Sequence, residues 1–260
     1  VALGGKSGVR DIYMAPRAGL ALPGGGIFFW WQAGALHELS SRYRLSEVPV
    51  VGASAGALAA TIGATGVDVP TAFELAASLA ERSGAWERGA WGLVGVWGPM
   101  IREWLDELLP ADADEQCRGR VHILVKRAPR LRAPRFEPLL LSDYRDRDDL
   151  IDVNMASAHL PLFIDGHWTA RVRGMRCVDG TLSLRKTSAE RRVVLPGGAA
   201  AVRLDSAADA RMRARYSRRE DFVRLASRDG VAEMMEWGMA HAREMERRGE
   251  LEALEPFRLP

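Results

Sequence analysis

Val48-Pro49-Val50-Val51-Gly52-Ala53-Ser54-Ala55-Gly56-Ala57-Leu58-Ala59-Ala60-Thr61 decides the fold. An apolar, β-branched run from Val48 to Val51 feeds into G-x-S-x-G, and a small-residue run from Ala57 to Thr61 leaves it, which predicts a strand, a sharp turn and a helix. A bulky side chain at Gly52 or Gly56 would block that turn, so the two glycines push the Ser54 hydroxyl outward over the positive end of the following helix. An attacking oxygen suits such a place.

A second unit of the same kind lies upstream. Leu20 to Leu22 reads as a strand, Gly24-Gly25-Gly26 as a loop, and a helix from about Trp31 to Ser41 follows, with Ala35, Leu36 and Leu39 on one face. The glycines lack a Cβ, so their backbone amides can approach a substrate closely, as donors to an oxyanion or as a cradle for phosphate. A dinucleotide site fails in two places. Phe29 stands where the third glycine of that fingerprint allows close helix packing, and no acidic residue ends the next strand to hold a ribose.

The general bounds suit an enzyme of α/β class. A chain of 260 residues, 47% hydrophobic, can bury one large core, and the alternation of strand and helix signals favours a single domain over residues 1–260, with a core of about 20–187 and a helical part of about 207–250. Formal charge is +2, so no global basic field calls for nucleic acid. Cys117 and Cys177 have no metal-ligand spacing and read as thiols in a reducing, intracellular compartment, with no metal site expected. No stretch approaches the roughly 20 apolar residues that span a bilayer, so membrane contact is expected to be peripheral.

Further along, helices are expected over 56–65, from Pro70 to Arg82 and near Pro99 to Leu109. From Gly84 to Trp104, running into the last of these, a segment rich in Gly and Pro carries Trp86, Trp91, Trp97 and Trp104, readable as a loop packed through its indoles or as a lipid-facing flap. Strand signals follow at Ile12 to Met14, Val121 to Lys126 and Pro138 to Ser142, a helix at Arg147 to Ser157, and one strand from Ala170 to Val178 that delivers Asp179-Gly180 on a turn. Asp209 to Ser227, with six arginines, and Val231 to Arg248 read as amphipathic helices, solvated or turned to anionic lipid.

A serine needs a base. Asp179 qualifies by position: it ends a strand, turns at Gly180, and follows apolar residues that would desolvate its carboxylate and raise its basicity. The other solution is a triad of Ser54, Asp143 and His159 or His167 in the manner of an α/β-hydrolase, although such folds place more strands ahead of the nucleophile than this chain has room for.

The glycine loop, G-x-S-x-G about thirty residues later and the distant Asp-Gly together resemble a patatin-like phospholipase domain. The resemblance is closest to the adiponutrin and adipose triglyceride lipase branch, through ValGlyAlaSerAlaGlyAlaLeu at 51–58, LeuLeuSerAspTyrArg at 140–145, SerAlaHisLeuProLeuPhe at 157–163 and ArgCysValAspGlyThr at 176–181. It implies a three-layer α/β/α fold with a mainly parallel central sheet, and a Ser-Asp dyad that needs neither histidine, metal nor cofactor. By position Ser54 would be the nucleophile, Asp179 the base, and Gly24, Gly25 and Gly26 the oxyanion loop, acting on glycerolipid or phospholipid esters at a membrane or lipid-droplet surface. Three departures bear on activity: Phe29 for the last loop glycine, expected to narrow the turn, Thr181 for a smaller residue, expected to strain its turn, and Arg185 where relatives often carry Asn. The competing outcomes are a weak or inactive lipid-binding relative and an acyltransferase.

Overall fold

The structure, a computed structural model, describes residues 18–130, 135–182 and 193–260. The strand expected at Ile12 to Met14 and the departure at Arg185 lie outside the described residues.

The described part is a mixed sheet with helices packed on it. β1 (Ala18–Leu22), β2 (Val50–Ala53), β3 (Val121–Arg127) and β7 (Ala200–Arg203) run parallel in the order β7-β1-β2-β3. β4 (Glu137–Leu141) and β6 (Met175–Asp179) both pair antiparallel with β3, and β5 (Ala170–Val172) pairs with β6. Alternation along the strands separates two faces, as a period of two requires. Leu20, Leu22, Val50, Ile123 and Val125 point into the main core, while Ala21, Val51, Ala53 and Leu124 point to a thinner one closed by Val193, Leu195 and Ala199.

The helices stack on the larger core. α2 (Ala55–Ala64) is built almost wholly of Ala, Gly and one Leu and one Ile, so it lies flat on β1, β2 and β3 and is buried along nearly all its length. α1 (Phe29–Ser40) sits between α2 and α8 (Arg228–Arg247) and is accordingly buried all round its first two turns, apolar there except for Gln32. In α8, Val231, Met234, Ala242 and Met245 form the buried stripe, and Ser227 caps the helix by accepting the Gly230 N–H. α3 (Val69–Arg82), α4 (Trp97–Leu108), α5 (Ala113–Cys117) and α6 (Arg147–Ser157) complete the layer, with Asp68 and Asp146 as capping carboxylates on α3 and α6.

Two expectations are corrected. The strand expected from Ala170 to Val178 is a hairpin, because Arg173 and Gly174 take φ of 50° and 74°, the two positive values that a tight two-residue hairpin turn needs. Arg173 is held in this unfavourable conformation by ion pairing to Asp149 at 2.6 Å. Likewise Asp209 to Ser227 is not one helix: only α7 (Ala210–Arg215) is α-helical. Arg211, Arg215 and Arg219 would repel one another at i,i+4 in a longer helix. The chain instead turns at Tyr216, whose ring packs on Phe28 with centroids 5.2 Å apart.

Candidate active site

The sheet register assembles the site. Ile123 and Leu124 pair with β2 on one edge of β3 and with β4 on the other, whereas Val125 to Arg127 pair with β4 and β6. β2 and β6 therefore share one edge of β3 and run toward each other. β2 ends with Ala53 opposite Leu124, and β6 ends with Asp179 opposite Val125, so Ser54 and Asp179 meet where the two strands stop.

Ser54 takes φ 56°, ψ −129°, a conformation that L-residues adopt only where the surroundings enforce it, at a cost of about 1–3 kcal/mol. The enforcement is steric. A Cβ on Gly52 would stand 2.3 Å from the Gly56 carbonyl oxygen, and one on Gly56 would stand 2.0 Å from that of Leu22, so β1, β2 and α2 close on one another only with glycine at both positions. The glycine loop lies against the serine: a Cβ on Gly24 would be 2.9 Å from Ser54 Cβ and 2.8 Å from Thr181 Cγ2. Gln32 steadies the loop by donating to the carbonyls of Pro23 and Leu204 at 2.8 and 3.1 Å, and Gly26, at φ 56°, lies against the backbone of Phe222.

Asp179 is fully buried. Its Oδ1 accepts from the Thr181 N–H at 2.7 Å and the Thr181 hydroxyl at 2.6 Å. Its Oδ2 is buried with no hydrogen-bond partner among the described residues. The Ser54 hydroxyl is close enough to favour the ionised carboxylate, yet makes no bond of standard geometry to it. Burial pushes the Asp179 carboxyl above the usual aspartate range; the hydroxyls of Ser54 and Thr181, the Thr181 N–H and the Lys126 ammonium act in the opposite direction without cancelling it. Lys126 is itself buried and donates to the Leu182 carbonyl at 2.6 Å, fixing the chain just past the Asp179 turn.

Thr181 was expected to strain this turn. It does not, since its φ is not positive, and its hydroxyl instead saturates one carboxylate oxygen. Phe29 does not narrow the glycine loop either: it lies in the first turn of α1, edge-on to Trp104 at 5.4 Å, and walls the cavity described below. Neither Asp143 nor His167 converges on Ser54. The Asp143 side chain is solvated near Arg118, His167 is exposed, and the His159 ring nitrogen Nε2 faces the His167 carbonyl at 3.1 Å.

Two positioning groups were missed at the level of sequence. Ser157 Oγ accepts the Ser54 N–H at 2.9 Å and donates to the Leu124 carbonyl at 2.7 Å, while the Ser157 and His159 carbonyls accept the N–H groups of Gly180 and Asp179 at 3.1 and 2.9 Å. The C-terminal end of α6 thus holds both turns at once. Behind it, Asn154 and Thr61 exchange a buried hydrogen bond between α6 and α2 at 3.0 Å. The only signal was the SerAlaHisLeuPro stretch itself, in which a buried serine at a helix end carries no periodic mark.

Ser54 opens on a cavity of about 110 Å3 lined almost wholly by apolar side chains, among them Leu58, Phe73, Leu79, Leu93, Ile101, Trp104 and Ile164. Two of the indoles, Trp104 and Trp86, have their N–H groups occupied by the carbonyls of Ala72 and Ala226. Arg228 is the one charged lining residue among the described residues, ion-paired with Glu74 at 2.5 Å and lying over the Phe73 ring. The Trp-rich segment is therefore in part a packed wall, the first of its two readings.

A serine on a strained strand-to-helix turn, a buried carboxylate beside it and an apolar cavity in front mark the candidate site of this α/β protein. The chain belongs to the patatin-like phospholipase family, whose model matches residues 20–185, well over half of it. It is 30% identical over 162 residues to human patatin-like phospholipase domain-containing protein 2, covering 61% of this chain and 30% of that one. It is 27% identical over 167 residues to human 1-acylglycerol-3-phosphate O-acyltransferase PNPLA3, covering 63% and 34%. Mouse omega-hydroxyceramide transacylase is 26% identical over 171 residues, covering 62% and 26%. The chain thus matches about a quarter to a third of the length of these relatives.

Proposed function

We propose that this protein cleaves acyl esters of glycerolipids or phospholipids through a covalent acyl-enzyme on Ser54, with Asp179 as the base. The supporting observation is the end-to-end meeting of Ser54 with a desolvated carboxylate whose Oδ2 is unpartnered, at the edge of an apolar cavity. Because Thr181 occupies Oδ1, Oδ2 is the oxygen that takes the Ser54 proton as Oγ attacks the ester carbonyl carbon. Backbone N–H groups of Gly25 and Gly26, aided by the start of α2, stabilise the oxyanion. The C–O bond to the alcohol breaks, the alcohol oxygen takes the proton from Asp179, and the acyl chain stays in the cavity. Water, deprotonated by Asp179, then attacks the acyl carbon; the bond to Ser54 Oγ breaks, Oγ takes the proton back from Asp179, and the fatty acid leaves.

Acyl transfer is the second reading. It is favoured by the near-complete burial of Ser54, which limits access of water to the acyl-enzyme, and by the names of two relatives, an O-acyltransferase and a transacylase.

The test is turnover of a chromogenic fatty-acyl ester by the wild type, Ser54→Ala, Asp179→Asn and His159→Ala. Losses of about 10^4-fold or more in the first two variants are expected. Equal turnover in wild type and both variants sinks the dyad, and loss in His159→Ala alone favours a triad. Binding of acyl chains without release of fatty acid would mark an inactive lipid-binding relative. Addition of a lysolipid separates the remaining two: capture of the acyl group faster than its appearance as free acid identifies a transferase.

A further inference from the structure

We propose that residues 84–96 and 159–169 form one platform that inserts into the surface of a phospholipid bilayer and delivers acyl chains to the cavity below. This rests on the lipid-ester reading of that cavity and names the surface from which its substrate comes.

Large apolar side chains exposed to water are concentrated here: Trp91, Val94, Leu162 and Trp168 are 51, 37, 46 and 70% exposed, four of the seven such residues among those described. Scattered singly they would need no explanation, but the backbone knits them together. Gly95 N–H donates to the Phe163 carbonyl at 2.8 Å, Gly98 N–H to that of Ile164 at 2.9 Å, and Trp97 packs edge-on to Phe163. Leu162 N–H donates to the His167 carbonyl, bringing Leu162 beside Trp168.

Leu162 carries the argument further. A branched side chain at φ 66° is unfavourable, and exposing it to water is unfavourable again, whereas glycine would remove both costs. Leu162 belongs to neither apolar core cluster of the described residues, so the benefit of its exposed half lies in an apolar medium outside the protein. The inner sides of the same two loops, at Trp86, Leu93, Leu160 and Ile164, line the cavity. A chain leaving a bilayer at this face therefore reaches Ser54 without crossing water. Trp and Arg also suit the headgroup level of a membrane, and Arg88 lies in the first loop, its guanidinium bonded to the Gly92 and Val94 carbonyls. Continuity with an acyl cavity is a property a lipid surface exploits and a protein partner does not.

The experiment compares the wild type with Trp168→Ser and with the triple variant Trp91→Ser/Leu162→Gly/Trp168→Ser, none of which alters a cavity-lining residue. Flotation with phosphatidylcholine vesicles is measured beside hydrolysis of vesicle phospholipid and of a dispersed short-chain ester. The expected result is a vesicle-bound fraction reduced at least threefold in the single variant and tenfold in the triple, with vesicle hydrolysis falling in step and short-chain hydrolysis within twofold of wild type. Vesicle binding equal to wild type in the triple variant overturns the platform, as does a parallel loss of short-chain hydrolysis in both variants. Ser54→Ala separates the two readings: it should float as the wild type does while hydrolysing neither substrate, whereas patch-dependent flotation with hydrolysis equal in Ser54→Ala and wild type leaves the platform standing and removes the catalytic proposal.

Discussion

Ser54 and Asp179 are held at the ends of two strands that share one edge of β3, Ala53 registered on Leu124 and Asp179 on Val125. Their separation is thus set by backbone hydrogen bonds on rigid elements, and groups that brace those strand ends should matter as much as the pair itself.

Ser157 is the clearest such brace. Replacing it by alanine strips a partner from the Ser54 N–H and from the Leu124 carbonyl, both deep in the structure. Two buried groups left unpaired cost about 1–3 kcal/mol each, reduced wherever water enters. Ser157→Ala is predicted to lower stability in urea melts by about 2 kcal/mol. It is also predicted to lower kcat at least tenfold with little change in KM; an unaltered kcat would show that the elbow holds Ser54 without help.

The pH dependence follows from Asp179. Its carboxyl is raised above the usual aspartate range by burial, so the acid limb of kcat/KM should fall above the value of about 3.9 for a free aspartate. Thr181→Val removes a hydroxyl that favours the ionised form, and Lys126→Met removes a favourable charge, so each should move the limb to higher pH. Thr181→Ser should leave it in place. A limb that does not move in Thr181→Val would mean that another group is the base.

Stability should show the same shift with its own sign. A carboxyl whose pKa is raised on folding favours the folded state below its unfolded pKa, and this contribution is lost as pH rises through the folded value. Asp179→Asn, which removes the buried charge, is predicted to melt higher than wild type at neutral pH, with the difference closing as pH falls. An equal Tm at neutral pH would count against a buried, charged Asp179.

The sequence carried what repeats locally. G-x-S-x-G after a β-branched run, a glycine loop after Leu20 to Leu22 and Asp-Gly after an apolar run each mark a strand end, and the resemblance joined them in order. What it could not carry was geometry between distant segments: the hairpin at Arg173, which needs a non-glycine residue at positive φ, and the role of Ser157. The arginine-rich stretch after Asp209 misled for a related reason, since its charges find partners such as Glu244 on another helix.

The glycines can be tested against each other. Gly56→Ala sets a Cβ 2.0 Å from the Leu22 carbonyl oxygen, backbone against backbone, and should cost about 3 kcal/mol or more, with loss of activity. Gly63→Ala in the same helix meets only the flexible tip of Leu36 at 3.2 Å, while gaining about 0.5–1 kcal/mol of helix propensity. It should leave thermal stability equal or higher. Comparable destabilisation by both would refute the steric account of the elbow.

The cavity predicts a chain-length preference. Leu58 follows Ser54 by one helical turn and lines the cavity, so Leu58→Trp should fill part of its volume of about 110 Å3 without touching the strand ends. If the larger ring displaces roughly three methylenes of a bound acyl chain, at about 0.8 kcal/mol each, the long-chain ester loses about 2.4 kcal/mol of binding. That corresponds to roughly a 50-fold fall in kcat/KM for long acyl esters. A short acyl chain that never reaches the filled region should be hydrolysed within about threefold of the wild-type rate. The ratio of long- to short-chain kcat/KM is the readout, because a general disturbance of the elbow lowers both together. An unchanged ratio would place the acyl chain elsewhere.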